Sequence, residues 1–175
     1  TKQWKIKHLS WKKFDFHRYI KKQTKTNDNG LKSLENKWGK NVIAQGWTGV
    51  PNTLIERQQA LGLSSLDVNI LLILLKYWWD ADSPPYPSKR VIGEMVGKEE
   101  STIRRCMAGL ERKGFIQRTA NYLSLGGQSS NTYKLDGLVL RLEQEAKALA
   151  ELKETRKEED ARMRRGTPIP TTKGE

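Results

Sequence analysis

The chain of 175 residues is long enough for one domain of ordinary size with extensions, and 36% of its residues are hydrophobic. No apolar run approaches the ~20 residues that a membrane-spanning helix needs, and a single cysteine, Cys106, excludes an internal disulfide or a cysteine-based zinc site. The sequence begins without a signal-peptide pattern. We therefore expect a cytoplasmic protein with no membrane contact.

The net charge of +12 is concentrated in two blocks. Residues 1–30 hold nine Lys or Arg and two Asp, and residues 88–135 hold nine basic and four acidic side chains, whereas the other segments are balanced. Such blocks gain affinity for a polyanion because each neutralised phosphate releases condensed counterions. They also suit a merely solvated surface, so the charge favours a nucleic-acid partner without requiring one.

Residues 1–36 form a basic, aromatic extension. The alternation from Trp4 to Lys7 fits a strand, whereas the spacing of Trp4 and Trp11 fits a helix, and both interpretations stay open. The aromatic side chains would pack on a core, or the arm would lie along DNA or contact a protein partner. The polar residues 23–30 are typical of a linker or turn.

Two helices are predicted next. A first helix begins at Pro51 and Asn52 and ends at Gly62. A second begins after Ser64, with Asp67 three residues later completing a capping box, and runs to about residue 79. It is apolar on nearly every side, so we expect it to form the core, and a run of prolines ends it.

A pair of shorter helices follows. Ser88 predicts the N-cap of a helix over 89–96 that ends at Gly97. The next helix, over 99–113, carries apolar residues spaced four and three apart, which places them on one buried face. These residues are Ile103, Met107 and Leu110. Cys106 is interpreted as a small packing residue.

A hairpin and a long helix complete the pattern. After Gly114, "FIQR" and "NTYKL" are strand-like, with a polar, turn-rich tip between them. Residues 137–165 then predict one charged helix, and residues 166–175 predict disorder. Five leucines between Leu135 and Leu152 share a heptad-like seam. A dimerising helix and a helix that packs back on the core both fit this seam.

Three helices followed by a hairpin describe a winged helix-turn-helix. The stretches "PYPSKRVIGEMVG", "STIRR", "LERKGFIQR" and "SSNTYKLDGL" resemble the winged helix-turn-helix proteins of bacteria, phages and plasmids. The lead-in "KWGKNVIAQGWTGVPNTLIERQQALGL", with "YWWDADSPPYPSK", resembles that of small helix-turn-helix transcriptional regulators. The resemblance covers about residues 37–140.

The resemblance implies a mainly α fold with a small β-hairpin (α+β). The winged helix-turn-helix domain is expected over 37–136, between the basic arm of residues 1–36 and the C-terminal helix of 137–165. The implied function is sequence-specific binding of double-stranded DNA by a transcriptional regulator. Plasmid and phage replication initiators and partition adaptors share the module, so such a role is the alternative.

The resemblance also supplies candidate DNA-binding residues. On the helix over 99–113, Glu100, Ser101 and Arg105 match the exposed base-reading positions; Thr102 precedes the buried row, and Arg104 suits a phosphate contact. Arg105 would read guanine or contact phosphate, and Glu100 would accept from cytosine N4. The preceding helix, the turn and the wing supply the remaining candidates: Ser88, Lys89, Arg90, Lys98, Gln128, Ser129 and Asn131.

Enzymatic chemistry has little support in the sequence. His8 and His17 are the only histidines, no His-x-His pair is present to hold a metal, and no glycine-rich phosphate loop occurs. We expect no enzyme activity, no metal and no cofactor. The expected partners are double-stranded DNA and, through the C-terminal helix, a second copy of the chain.

Overall fold

A computed structural model describes residues 28–121 and 130–165 of the chain. These residues divide into two compact units, with the boundary between Trp47 and Thr48. The described part of the N-terminal unit contains α1 (Asp28–Trp38) and α2 (Lys40–Ala44), joined at Gly39, whose φ is 86°. The predicted limits of the arm and the DNA-binding domain stay predictions.

The second unit, here called the main unit, contains five helices and two strands among the described residues. In chain order they are α3 (Asn52–Glu56), α4 (Ser65–Tyr77), α5 (Lys89–Val96), α6 (Glu100–Arg112), β1 (Gln117–Thr119), β2 (Thr132–Lys134) and α7 (Asp136–Arg164). The predicted fold class, mainly α with a small β-hairpin, is confirmed. None of the described helices is long and apolar enough to cross a membrane.

The helix predicted between Pro51 and Gly62 is shorter than expected. It ends at Glu56, and the chain continues in turns closed by bonds from the Leu61 amide to the Arg57 carbonyl at 2.9 Å and from the Leu63 amide to the Gln58 carbonyl at 2.8 Å. Gly62 does end this segment, because its φ of 64° is a left-handed conformation that favours glycine.

Helix α4 begins as the sequence predicted and forms the centre of the core. The Ser64 hydroxyl accepts from the Asp67 amide at 3.2 Å, and an Asp67 carboxylate oxygen accepts from the Ser64 amide at 3.0 Å, which completes the capping box. Its side chains Ile70, Leu71 and Leu74 are fully buried. The helix ends at Tyr77, short of the predicted residue 79, because Trp78 is extended.

The hairpin closes one side of this core. Strands β1 and β2 are antiparallel, with Arg118 opposite Tyr133. The Tyr133 amide also donates to the Pro85 carbonyl at 2.8 Å, so the proline-rich segment after α4 packs beside the hairpin. The strands are shorter than the predicted ones, and the predicted tip residues Gln128 and Ser129 lie outside the described residues.

The first part of α7 packs back on the core. Leu138 and Leu142 are buried, as is Leu135 immediately before the helix. Further along the same seam Leu152 is 49% exposed. Leu135, Leu138 and Leu142 therefore pack back on the core, which is one of the two arrangements that the sequence left open, and the dimerising helix stays a prediction.

Candidate nucleic-acid interface

The geometry of α5 and α6 depends on a tight turn between them. The Ser88 hydroxyl accepts from the Val91 amide at 3.2 Å, as the predicted N-cap requires. Gly97 ends α5 with a φ of 67°, and the Lys98 amide donates to the Gly93 carbonyl at 3.0 Å. A Cβ added to Gly93 would lie 2.6 Å from the Lys98 carbonyl oxygen, so glycine permits the close approach of the turn to α5.

Helix α6 has one buried face and one exposed face. Ile103, Met107 and Leu110 are the buried row, as predicted. On the opposite side, Ser101 and Arg105 are exposed, which is the arrangement that a base-reading helix needs. Ala108 and Arg112 continue this exposed stripe, with Ala108 half-buried.

The basic side chains of α6 differ in their intramolecular contacts. Arg104 forms an ion pair with Glu100, with an N–O distance of 3.2 Å. Arg112 donates to the Ala108 carbonyl at 3.4 Å. Among the residues that the structure describes, Arg105 forms neither a hydrogen bond nor an ion pair. Its guanidinium therefore remains available for a ligand.

A polar cleft of about 580 Å³ opens beside α6. Three segments contribute to it: the start of α5, the first turns of α6 and the base of the wing. Its lining residues are Ser88, Lys89, Arg90, Glu100, Arg104, Ser130, Asn131 and Tyr133. Most of the predicted residues that the structure describes in these segments thus share one concave surface.

The remaining described candidates lie outside the cleft. Ser101 and Arg105 are on the exposed face of α6, Lys98 is exposed in the turn, and Thr102 is half-buried. Asn131 lines the cleft but is only 7% exposed, so little of it can reach a ligand.

Tyr133 was missed by the sequence analysis although it lines the cleft. Its ring is almost fully buried, and its side chain forms a hydrogen bond with Asn131. Burial raises the pKa of the Tyr133 hydroxyl, while Arg118 and the Asn131 bond act in the opposite direction. Its place between the polar residues Thr132 and Lys134 of a predicted strand was the signal that could have marked it as inward-facing.

The two acidic residues at the start of α6 differ in their contacts. Glu99 is the N-cap residue, but its side chain makes no capping hydrogen bond. A carboxylate at this position still suits the helix dipole. Glu100 pairs with Arg104 on the cleft side, and its contact with a base stays a prediction.

The C-terminal end of α6 is held from two sides. The Lys113 ammonium donates to the Gly62 carbonyl at 2.6 Å and lies 3.6 Å from the Asp67 carboxylate. From α7, Arg141 donates to the Lys113 carbonyl at 2.9 Å, and its guanidinium carbon lies 5.3 Å from the centre of the Phe115 ring. These contacts fix α6 relative to both α4 and α7.

No group of three or more His, Cys, Asp or Glu that could hold a metal occurs within residues 28–121 and 130–165. Cys106 is half-buried against the core. Burial, followed by the Asp67 carboxylate, raises the pKa of its thiol, which disfavours the reactive thiolate.

Comparison with known proteins bears on the helical part of the main unit. Residues 61–116 match the family model described as "Helix-turn-helix domain". No curated protein matches the sequence. The matched segment runs from the turn before α4 through α5 and α6 to the residue before β1.

Two solved structures are similar to the chain at low identity. The N-terminal domain of the DnaD protein from Geobacillus kaustophilus HTA426 is 19% identical, with a TM-score of 0.49, over 66% of this chain and 93% of that chain. A chain described as a possible transcriptional regulator from Methanosarcina mazei Go1 is 20% identical, with a TM-score of 0.40, over 58% of this chain and 82% of that chain. The family match and the geometry of α5, the turn and α6 agree, and residues 61–116 form a helix-turn-helix domain.

Proposed function

We propose that the main unit binds double-stranded DNA sequence-specifically and acts as a transcriptional regulator. Helix α6 lies in the major groove in this proposal, where side chains can distinguish base pairs. The observation that carries it is Arg105, an exposed arginine in the middle of α6 without an ion-pair partner among the described residues. Ser101 stands one turn earlier on the same face and is the second proposed base contact.

The polar cleft is the proposed binding site of the DNA backbone. Lys89, Arg90 and Arg104 supply positive charge there, and the start of α5 at Ser88 borders the same space. Helix N-termini and basic side chains are common phosphate ligands. Contacts of this kind set register and affinity and leave discrimination between sequences to the base-reading face.

Glu100 has a specific place in this proposal. Its carboxylate forms an ion pair with Arg104 within α6. The Glu100 side chain would have to break this ion pair to reach cytosine N4. A glutamate at this position also repels phosphate that is wrongly placed. We propose that Glu100 lowers affinity for random DNA more than it raises affinity for the specific site.

A regulatory role is tested by finding the bound sites. Selection of tight binders from a random duplex pool, followed by footprinting on the source DNA, should give one or two sites over a promoter. An array of repeats at an origin would instead favour a replication initiator or partition adaptor. Failure to select any sequence over random DNA would contradict sequence-specific binding itself.

The finer assignments belong to the same proposal. The domain over 37–136 carries the DNA contacts, including Lys98 and Thr102 and, in the wing, Gln128 and Ser129. Residues 1–36 contact DNA or a protein partner, and a protein bound to DNA is expected in the cytoplasm with the nucleoid. No enzymatic step enters this proposal.

A further inference from the structure

Helix α7 continues well beyond its anchorage on the core. Its last contacts with the main unit include buried Leu142 and an ion pair of 2.6 Å between Arg57 and Glu145. Every residue from 150 to 160 is exposed, and the helix runs on to Arg164. At 1.5 Å per residue, the projecting part from residue 150 to Arg164 is about 22 Å long. A helix of such length is marginal in water without tertiary contacts.

The seam of the anchored part continues along the projecting part. Spacings of four and three from Leu138 lead through Leu142 and Glu145 into a row of five further residues on the same face. This row, here called the distal row, is Leu149, Leu152, Arg156, Glu159 and Met163. Leu152 is 49% and Met163 is 65% exposed, so apolar side chains stand in water beside two opposite charges.

The charges of the distal row discriminate between two ways of pairing the helix with a second copy. In a parallel pair each heptad position faces its own counterpart, so Arg156 would oppose Arg156 and Glu159 would oppose Glu159. In an antiparallel pair centred between residues 157 and 158, Arg156 of each copy faces Glu159 of the other. Only the antiparallel arrangement neutralises both charges.

The neighbouring positions agree with the same arrangement. An antiparallel pair with this centre places Leu152 of each copy opposite Met163 of the other. These apolar contacts lie at the two ends of the charged layers that Arg156 and Glu159 form. Along one edge of the seam, Lys153 of one copy faces Asp160 of the other. Opposite charges at such edge positions favour one orientation over the alternative. The distal row is therefore complementary to itself about a two-fold axis.

We propose that residues 149–163 form an antiparallel homodimerisation surface whose occupant is a second copy of this chain. Leu135, Leu138 and Leu142 take no part, because the core already buries them. The proposal does not depend on DNA binding and can be tested without DNA. The expected association is weak, since two heptads bury few apolar side chains.

Charge reversal in the full chain tests the pairing by sedimentation equilibrium at low salt. Arg156→Glu should raise the dimer dissociation constant about tenfold, because symmetry replaces two attractive contacts by two repulsive ones. Glu159→Arg should have the same effect, and the double variant should recover wild-type association. The control is Lys157→Glu, an equal change of charge on the outer face of α7, where Lys157 lies 3.4 Å from Glu154 of its own helix.

Cross-linking tests the orientation. In a Cys106→Ser background, a chain carrying Leu152→Cys mixed with one carrying Met163→Cys should form mainly the mixed disulfide. Disulfides between two identical chains would indicate a parallel pair and overturn the proposal. A wild-type chain that stays monomeric at all accessible concentrations, or an Arg156→Glu chain that associates as well as wild type, would also overturn it.

Discussion

Arg105 and Arg104 are adjacent in sequence but have different surroundings. Arg104 is paired with Glu100 and faces the polar cleft, whereas Arg105 has no such partner among the described residues and faces away from the core. A base contact and a phosphate contact have different energetic signatures, because only the first depends on sequence. The two arginines therefore provide a matched pair for mutation.

We expect Arg105→Ala to weaken binding at the specific site by about 1–3 kcal/mol and to change binding of random duplex much less. Arg104→Ala should weaken binding to both duplexes by similar factors and lower the salt slope by about 1. Fluorescence anisotropy with the two duplexes measures these quantities. Equal losses on both duplexes for Arg105→Ala would reassign Arg105 to a phosphate contact.

Glu100 allows a second prediction at the level of single residues. Glu100→Gln removes a negative charge close to the proposed path of the backbone and frees Arg104 from its ion pair. We expect affinity for random duplex to rise and the ratio of specific to random affinity to fall. Glu99→Gln is the control, since it removes the same charge from a side chain without a capping bond, and its effect should be smaller. If the two variants behave alike, only net charge matters.

At the level of elements, the contact between α5 and the following turn depends on a glycine in α5. A Cβ at Gly93 would approach a backbone oxygen at 2.6 Å, and backbone cannot move aside as a flexible side chain can. Gly109 in α6 has no such neighbour within 4 Å. The same substitution at these two helical glycines should therefore have opposite effects on stability.

We expect Gly93→Ala to destabilise the fold by about 1–3 kcal/mol, since the clash outweighs the better helix propensity of alanine. Gly109→Ala should be neutral or stabilise by up to about 1 kcal/mol. Urea unfolding followed by circular dichroism gives both values. A Gly93→Ala protein as stable as wild type would mean that α5 and the turn at Lys98 do not approach each other as closely as described.

The same elements show what a single sequence can and cannot predict. The capping box at Ser64 and the helix ends at Gly97 and Gly114 follow from local rules, because capping depends on residues only a few positions apart. The contact of Arg141 with the end of α6, 28 residues away, has no local signature. Nor does the Arg57–Glu145 pair, which joins residues 88 positions apart.

The candidate site likewise combines features that follow from local sequence rules with features that do not. Residue types at the start of α5 and on α6 predicted which side chains are exposed, since helical periodicity decides that. Periodicity did not predict that Glu100 would turn toward Arg104, because a side chain at the border of two faces selects its partner through rotamer and distance. Tyr133 was missed because its position in the lining of the cleft depends on the pairing of β2 with β1.

For the whole molecule, the two basic blocks make salt the decisive variable. Several phosphate contacts together should cost about 10³-fold or more in affinity between ~50 and ~200 mM salt, because each contact releases counterions. Residues 88–135 lie in the main unit. Residues 1–30 carry the larger excess of positive charge. Deleting residues 1–30 should therefore weaken specific and random binding together and reduce the slope of log affinity against log salt. A deletion that leaves both the affinity and the slope unchanged would show that the arm serves a protein partner. A full chain whose affinity barely changes with salt would remove the electrostatic basis for DNA binding altogether.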